Sequence, residues 1–470
     1  MIERRAIFVD GQWVGSSGSD FTTVTNPATE EPIGRVVNGT VEDVDRAAAA
    51  AAAALPAWSR APVRERADVL RRLADLIDQR APEITQSIVQ EVGQPAAQAA
   101  KLQVASPADN LRIIADCAGE VLWEERLDET VVRRGPAGVV GAITPWNVPL
   151  LMIARKVGAA LVAGCTVVLK GSEVAPSSSF IFAELVEATG VPRGIVNVVS
   201  GTGPVVGEAI AAHPSIDMVS LTGSVRAGQR VMRVASDSVK RVSLELGGKS
   251  ANVVLDGVDL EVAIGDGIAD AFRNSGQACG GLTRVLVPRG RLSDAEEIAA
   301  HTASSYVLGD PFDGATTLGP VTTAGQRERV RGFIRSGVAD GARLVAGGAD
   351  APHGLDRGYF VEPTVFTSGN DTQIAREEIF GPVVVIIPFA DEADAIAIAN
   401  DSPYGLAAGV WSPDAERARA VATKLRAGRV RINGAPVSQR SPHGGLKLSG
   451  IGREWGRFGV EEFLEYQAVG

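Results

Sequence analysis

The sequence predicts an α/β protein with two lobes. From Gly138 onward, short runs of β-branched residues alternate with helical patterns, and such alternation is typical of parallel sheets covered by helices. A second series of the same kind begins at Asn252. The 470 residues, 45% of them hydrophobic, suffice for two or three domains with separate cores. We therefore expect a doubly wound domain followed by another α/β domain.

The first series predicts five strands separated by helices. The strands are 139–143, 166–169, 195–199, 218–221 and 241–246, and the helices begin at Leu150, Pro176, Pro204 and Arg226. In doubly wound folds, ligands bind beyond the carboxyl ends of the strands, so the residues that follow each strand are the candidates for chemistry.

Three further patterns concern the rest of the chain. The second series includes strands at 252–255, 283–287 and 383–387. Thr40 and Asp43 have the spacing of a helix N-cap, ahead of the alanine-rich run 47–54. Segment 121–133 alternates apolar and polar residues like an exposed strand or hairpin, which could pair with another subunit.

Composition excludes several classes of function. The net charge of −10 argues against a nucleic-acid partner, because phosphate backbones are bound by clustered lysine and arginine. Cys117, Cys165 and Cys279 have no disulfide or metal-ligand spacing, and the four histidines are scattered, so we expect a reducing compartment and no metal. Neither a signal peptide nor a membrane span is apparent, and the expected location is the cytoplasm.

Three residues that end or follow predicted strands carry suitable chemistry. Cys279 follows a glycine-containing turn, Glu245 precedes Gly247 and Gly248, and Asn147 lies at a strand-to-helix junction. They offer a nucleophile, a base and an oxyanion donor. Taken singly, each has a plainer interpretation, namely a buried hydrophobic cysteine, a glutamate paired with a nearby lysine, and a helix cap.

Six sequence motifs decide between these interpretations. They are PWNVPL at 145–150, LTGS at 221–224, LELGGK at 244–249, NSGQAC at 274–279, EEIFGPV at 377–383 and GGLKLSGIGRE at 444–454. In this order the chain resembles the aldehyde dehydrogenase superfamily over essentially its full length. The resemblance implies that Cys279 is the nucleophile, Glu245 the general base and Asn147 the oxyanion donor.

The resemblance also implies the reaction. A Cys279 thiolate adds to a small-molecule aldehyde, hydride leaves the thiohemiacetal for NAD(P), and Glu245 activates the water that hydrolyses the thioester. Family members that pass the acyl group to coenzyme A typically lack this glutamate, so the expected product is the free acid. The alternatives are a catalytically silent binding or structural protein on the same fold, and a cysteine esterase or hydrolase.

The cofactor residues come from the same resemblance. Lys170 and Glu173 match adenine-ribose contacts, Ser224 a pyrophosphate contact, and Glu378 and Phe380 contacts to the nicotinamide riboside. Because a carboxylate at the ribose repels a 2′-phosphate, Glu173 predicts NAD over NADP. The full predicted set is Ile143, Thr144, Pro145, Trp146, Lys170, Ser172, Glu173, Gly203, Gly207, Gly223, Ser224, Leu246, Gly247, Glu378 and Phe380.

The substrate residues depart from the common family pattern. Val148, Arg155 and His443 replace frequent aromatic residues, and Gly280 and Gly281 make the segment after the nucleophile bare. Arg155 and Arg273 resemble the arginine pair with which succinic semialdehyde dehydrogenases hold a distal carboxylate. An open alternative is that Arg155 faces solvent or pairs with an acidic neighbour. The predicted substrate-binding residues are Arg155, Arg273 and His443.

Domain boundaries also follow from the resemblance. It implies a Rossmann-like NAD-binding domain of residues 1–117 and 137–246 and an α/β catalytic domain of residues 247–448. A small β oligomerisation extension would comprise residues 118–136 and 449–470. A homodimer or homotetramer is expected.

Overall fold

A computed structural model describes residues 2–470 of the chain. The strands, in chain order, are β1 (Ile2–Arg4), β2 (Ala6–Val9), β3 (Gln12–Gly15), β4 (Phe21–Thr25), β5 (Pro32–Val37), β6 (Glu124–Leu127), β7 (Thr130–Pro136), β8 (Val139–Ile143), β9 (Thr166–Lys170), β10 (Val196–Val199), β11 (Met218–Thr222), β12 (Arg241–Glu245), β13 (Ala251–Val254), β14 (Arg284–Pro288), β15 (Arg343–Ala346), β16 (Thr364–Thr367), β17 (Val383–Phe389), β18 (Ala407–Trp411), β19 (Arg429–Ile432), β20 (Gly450–Ile451) and β21 (Leu464–Val469).

The α-helices flank the sheets of both lobes, with α1 to α9 before β12 and α10 to α15 in the second lobe. They are α1 (Val41–Trp58), α2 (Val63–Gln79), α3 (Ala81–Val92), α4 (Ala96–Ala100), α5 (Ser106–Cys117), α6 (Pro149–Ala163), α7 (Ser177–Ala188), α8 (Glu208–Ala212), α9 (Val225–Ser236), α10 (Leu260–Phe272), α11 (Leu292–Ser304), α12 (Ala324–Ala339), α13 (Gln373–Arg376), α14 (Glu392–Asn400), α15 (Ala415–Ala422) and α16 (Gly456–Glu461). Among residues 2–470, no helix is both long and apolar enough to cross a membrane.

The first lobe is built on an eight-stranded sheet in the order β20-β12-β11-β8-β9-β10-β2-β3. Its five central strands run parallel, as the sequence predicts, and the flanking pairs β10–β2 and β12–β20 are antiparallel. All residues of α6 except Arg155 are buried, since this apolar helix is enclosed on every side. The predicted helix at Pro204 is instead a π-helical turn, Gly203–Gly207, followed by the short α8.

The second lobe is built on a seven-stranded sheet in the order β15-β16-β17-β14-β13-β18-β19. Its strands are parallel except for the edge pair β15–β16. Apolar side chains on both faces of the sheet form two clusters with the flanking helices. The predicted second α/β unit is therefore confirmed.

Two small sheets complete the fold. The hairpin predicted within 121–133 is present as β6 and β7, and β7 also pairs with β21 near the C-terminus. The strands β1, β5 and β4 form another three-stranded sheet. The predicted N-cap of α1 is a capping box between Thr40 and Asp43.

The chain crosses between the lobes from Glu245, the last residue of β12, to Ala251, the first of β13. Ser449 holds this crossing, because its carbonyl accepts from Leu246 N–H (3.0 Å) and its hydroxyl donates to the Gly247 carbonyl (2.7 Å). The same hydroxyl accepts from Gly405 N–H of the second lobe (2.9 Å). Both lobes are thus fixed where β12 ends.

Candidate active site

The loop that precedes Cys279 has an unusual backbone. Asn274 and Ser275 have φ values of +52° and +57°, which are uncommon for residues with a side chain. Gly276 has φ +73°, and a Cβ there would overlap the Gly381 carbonyl, so only glycine fits. Such conformations persist where the surroundings over-determine them, often at functional sites.

Hydrogen bonds fix this loop against neighbouring segments. Ser275 Oγ donates to the Gly319 carbonyl (2.7 Å), and Gln277 Oε1 accepts from Thr322 N–H (2.8 Å). The Asn274 amide donates to the Asn147 carbonyl (3.0 Å). The position of Cys279 is therefore defined before any ligand binds.

Asn147 lies between β8 and α6, next to the same loop. Its buried side-chain amide donates to the Gln277 carbonyl at 2.8 Å, and its carbonyl also accepts from Gln103 (3.2 Å). An amide nitrogen has two hydrogens, so one donor remains for a ligand oxygen. Because Asn147 binds the carbonyl two positions before Cys279 and lines the same cavities as that residue, it suits an oxyanion donor.

Glu245 is buried at the end of β12. Neither carboxylate oxygen has a hydrogen-bond partner among residues 2–470, and the nearest cation candidate is His443, whose Nε2 lies 3.5 Å from Oε2. Burial, with the negative charge of Glu454 nearby, raises the pKa of Glu245 to about 8. A carboxyl with this pKa exchanges a proton near physiological pH, as a general base must.

Cys279 is partly exposed, and its thiol is protonated when no ligand is bound. Burial raises the pKa of the thiol to about 11, the charges of Glu245 and Glu378 add to this, and Arg429 and Arg155 oppose it. The thiol is thus protonated at neutral pH in the absence of ligands. The expected thiolate has to form when ligands change these surroundings.

Two cavities meet at Cys279. One has a volume of 670 Å³ and the other 410 Å³, and both are lined by Asn147, Val148, Met152 and Cys279. A thiol at the junction of two cavities can contact two different ligands at once. This arrangement fits a reaction between a substrate and a second, larger molecule.

The 670 Å³ cavity brings together more than half of the predicted cofactor residues. These are Pro145, Trp146, Gly223, Ser224, Leu246, Gly247, Glu378 and Phe380. Arg226, Gln326, Arg329, Glu377 and Tyr404 also line it and were not singled out from the sequence. Ser224 caps α9, since its hydroxyl accepts from Ala227 N–H (3.2 Å), and a helix N-terminus favours anions such as phosphate.

Glu378 is held against the crossing between the lobes. Gly248 N–H donates to its Oε1 at 3.1 Å, and a Cβ on Gly247 would overlap the same carboxylate. Burial raises the pKa of Glu378 to about 7. The two glycines after Glu245 thus allow Glu378 to approach the backbone closely. Phe380 packs edge-to-face on Trp146 at 5.5 Å between ring centroids.

The remaining predicted cofactor residues lie outside the lining of that cavity. Lys170 Nζ is 2.7 Å from Glu173 Oε2. Burial alone would raise the pKa of Glu173, but the charge of Lys170 and its hydrogen bond leave this pKa lowered. Glu173 is therefore ionised. Residue 171, next to Lys170, is a glycine because a Cβ at this position would overlap Ser179 Oγ. The others of this group are Ile143 and Thr144 at the end of β8, Ser172 beside Glu173, and Gly203 and Gly207 in the π-helical turn.

The 410 Å³ cavity contains all three predicted substrate residues. Arg155 is half-buried and opens onto it, and His443 stacks on Trp455 at 4.5 Å. Arg273 also lines the cavity, but its side chain is 42% exposed and lies 3.5 Å from Asp270. A further arginine, Arg429, lines this cavity and was not predicted from the sequence. The one sequence feature that pointed to it was the absence of a side chain at Gly280, next to which Arg429 lies.

Comparisons with known proteins agree with a two-lobed α/β enzyme that has a thiol between its lobes. The sequence profile of the aldehyde dehydrogenase family matches residues 13–469. The chain is 47% identical over 471 residues to a 3-succinoylsemialdehyde-pyridine dehydrogenase of a Pseudomonas species, covering 100% of this chain and 99% of that protein. This chain therefore belongs to the aldehyde dehydrogenase family.

Solved structures give the same result for the fold. A mutant of aldehyde dehydrogenase C from Pseudomonas syringae, in complex with NAD⁺ and octanal, matches with a TM-score of 0.98 and 45% identity over 99% of this chain and 96% of that one. A Mycobacterium tuberculosis aldehyde dehydrogenase complexed with NAD⁺ matches with a TM-score of 0.97 and 40% identity, covering 100% and 98%. The predicted fold class is confirmed.

Proposed function

We propose that the protein oxidises an aldehyde to the carboxylic acid with NAD as the hydride acceptor. The observation that carries this proposal is the position of Cys279 at the junction of two cavities, with Asn147 lining both and Glu245 lining the larger one. The aldehyde occupies the 410 Å³ cavity, and the nicotinamide enters through the 670 Å³ cavity. Water is the second substrate.

The first half of the reaction uses Cys279 and Asn147. The thiolate adds to the aldehyde carbon and gives a tetrahedral thiohemiacetal with negative charge on oxygen. The free N–H of the Asn147 amide and the Cys279 backbone N–H donate to that oxygen. Loss of one such donor costs about 2.7 to 4 kcal/mol in the barrier.

The residues of the 670 Å³ cavity fit NAD. The helix N-terminus at Ser224 suits a pyrophosphate, the Glu378 carboxylate suits ribose hydroxyls, and Lys170 with ionised Glu173 suits the adenosine ribose. NAD, when bound, supplies the hydride-accepting carbon that the chain itself lacks. Relatives of similar fold have been crystallised with NAD⁺, which supports the assignment.

The second half of the reaction uses Glu245. Once the acyl group is a thioester on Cys279, the carboxylate takes a proton from a water molecule, which attacks the acyl carbon and releases the acid. At a pH above its pKa of about 8, Glu245 is ionised and can accept this proton. His443, 3.5 Å away, is the polar side chain placed to orient it.

The substrate class follows from Arg155. The resemblance to semialdehyde enzymes suggests an aldehyde with a distal carboxylate held by Arg155, and Arg273 and His443 line the same cavity. The name of the Pseudomonas relative, a 3-succinoylsemialdehyde-pyridine dehydrogenase, supports a substrate with a second polar group.

The two lobes have separate tasks in this proposal. Residues 1–117 and 137–246 bind NAD, and residues 247–448 supply the nucleophile. Residues 118–136 and 449–470 form the oligomerisation extension of a homodimer or homotetramer in the cytoplasm. The exposed β6–β7–β21 sheet supports this, because unpaired strand edges invite pairing with another chain.

The proposal is tested by following the absorbance of reduced nicotinamide with a panel of aldehydes. We expect NAD-dependent turnover that yields the free acid in stoichiometric amount. Cleavage of an activated ester without cofactor, in the absence of aldehyde oxidation, would instead identify a cysteine esterase. Binding of NAD without either reaction would identify a catalytically silent protein.

A further inference from the structure

We propose that Arg155 and Arg429, with Trp455 as a shared platform, form an anion-binding subsite in the 410 Å³ cavity, and that the preferred substrate is a compact aldehyde bearing a carboxylate. The inference rests on the proposed function and refines it. It names Arg429, and not Arg273, as the second cation that meets the carboxylate.

The two guanidinium groups converge from different lobes. Arg155 comes from α6 and Arg429 is the first residue of β19, and both line the cavity. Their Cζ atoms lie 4.9 Å and 5.5 Å from the centroid of the Trp455 ring. Cation–π contacts of this length fix the direction of a guanidinium without neutralising its charge.

Neither arginine has a counterion. Among residues 2–470, neither Arg155 nor Arg429 forms an ion pair, and the Nε atom of each is buried without a hydrogen-bond partner. The neighbouring arginines differ: Arg431 pairs with Asp266 and Asp270 at 3.0 Å and 3.1 Å, and Arg273 lies 3.5 Å from Asp270. Asp266 and Asp270 are thus engaged by Arg431 and Arg273, whereas Arg155 and Arg429 have no carboxylate within ion-pair distance in the part of the chain that the structure describes.

Electrostatics then favour an anion between the unpaired arginines. Burial lowers the pKa of Arg155 to about 10; the negative charge of Glu454 opposes this shift and the positive charge of Arg429 adds to it. Burial likewise lowers the pKa of Arg429. Two like charges that face one cavity repel each other, and a carboxylate placed between them removes this repulsion and accepts charge-assisted hydrogen bonds.

Gly280 explains how Arg429 reaches this position. A Cβ on residue 280 would lie 2.5 Å from Arg429 Nη2, so any larger residue would displace the guanidinium. With standard bond and Cα–Cα lengths, Nη2 is then within about 8 Å of the Cys279 Cα atom. The anion subsite is therefore close to the nucleophile, which favours a short spacer between aldehyde and carboxylate.

Trp455 gives the subsite a rigid wall. The residue is buried and has φ +75°, a backbone conformation that side chains rarely adopt and that occurs at ligand clamps. One face of its ring is covered by His443 at 4.5 Å. The ring is thus held by its stacking on His443 and contacts both arginines.

The test compares a charged aldehyde with a neutral one of the same shape. For 4-oxobutanoate, Arg429→Gln is expected to lower kcat/KM by about tenfold to a hundredfold, the range of a charge-assisted hydrogen bond. For 4-methylpentanal, in which an isopropyl group replaces the carboxylate, the change should stay within about twofold. Arg64→Gln, an exposed arginine of α2 outside the cavity, is the matched control and should affect neither.

Two further variants guard against a simple folding defect. Gly280→Ala keeps the charge but displaces it, and should reproduce the selective loss on 4-oxobutanoate. Arg429→Lys should retain part of the preference, because it keeps a cation without the planar fork. Equal losses on both aldehydes, or a wild type indifferent to the carboxylate, would overturn the subsite.

A binding measurement separates this inference from the proposed function. Butanedioate is titrated calorimetrically into wild type and Arg429→Gln, with no turnover involved. Binding at least about tenfold tighter to wild type supports the subsite, and equal binding contradicts it. Oxidation of 4-methylpentanal by wild type tests the proposed function alone, so the failure of one is distinguishable from the failure of the other.

Discussion

At the scale of single residues, burial sets the protonation states of the site. Burial raises the pKa of Cys279 to about 11 and that of Glu245 to about 8, so both groups are neutral in the resting protein at pH 7. The thiolate and the carboxylate therefore arise during the catalytic cycle. This limits unwanted reactions of a free thiolate before the substrate is bound.

The pH dependence of thioester hydrolysis should report Glu245. Below its pKa of about 8 the carboxyl is protonated and cannot take a proton, so the rate should rise as the pH increases through that value. Glu245→Gln should abolish this rise and leave at most a burst of NADH followed by slow turnover. Stopped-flow absorbance separates the two phases. Steady turnover of the variant at the wild-type rate would exclude Glu245 as the base.

Cofactor choice should depend on Glu173. In the proposed cofactor site, its ionised carboxylate would accept hydrogen bonds from the ribose hydroxyls of NAD and repel the 2′-phosphate of NADP. We expect kcat/KM for NAD to exceed that for NADP by about tenfold or more, and Glu173→Gln to narrow the difference. Initial rates with both cofactors measure this. Equal efficiencies in the wild type would be inconsistent with the assignment.

At the scale of elements, the regular parts of the fold were predictable and the edges were not. The five central strands of the first sheet follow from β-branched runs between helical patterns, because buried parallel strands are apolar on both faces. The outer strands β2, β3 and β20 escaped prediction because they are short. β2 and β20 also join the sheet through β10 and β12, which are distant in sequence. The helix at Pro204 is broken because Gly203 and Gly207 weaken it.

The candidate site likewise contains residues that the sequence predicts and residues that it does not. Motifs indicated Cys279, Glu245 and Asn147, because each lies where a strand ends or a turn follows, and those positions carry chemistry in α/β folds. Arg429 starts an ordinary strand far along the chain, and only tertiary folding brings it beside Gly280. By contrast, the contact of Arg273 with Asp270 has a local basis, since the two residues are three positions apart at the end of α10.

The loop before the nucleophile should be sensitive to one methyl group. Gly276→Ala places a Cβ on the Gly381 carbonyl and strains a positive φ, so the loop must shift and carry Cys279 with it. We expect kcat to fall by about tenfold or more in a protein that remains folded by circular dichroism. Gly290→Ala, where a Cβ meets nothing within 4 Å, is the control. Unchanged kcat in the first variant would show that the loop tolerates displacement.

At the scale of the whole molecule, the site exists only where the two lobes meet. Glu245 ends β12 and Asn147 lies between β8 and α6 of the first lobe, whereas Cys279 lies between α10 and β14 of the second lobe. Ser449 fastens the crossing between them through hydrogen bonds to both sides. Separate lobes would each lack part of the reaction, so catalysis depends on their fixed arrangement.

The most direct measurement is NADH formation by wild type and Cys279→Ala, together with NAD binding by both. The thiol supplies the covalent bond to the aldehyde and contributes little to the fold, because it is partly exposed between two cavities. We predict that the variant forms no NADH with any aldehyde that the wild type oxidises, while its affinity for NAD stays within about threefold of the wild type. Aldehyde-dependent NADH formation by the variant at a comparable rate would contradict covalent catalysis by Cys279.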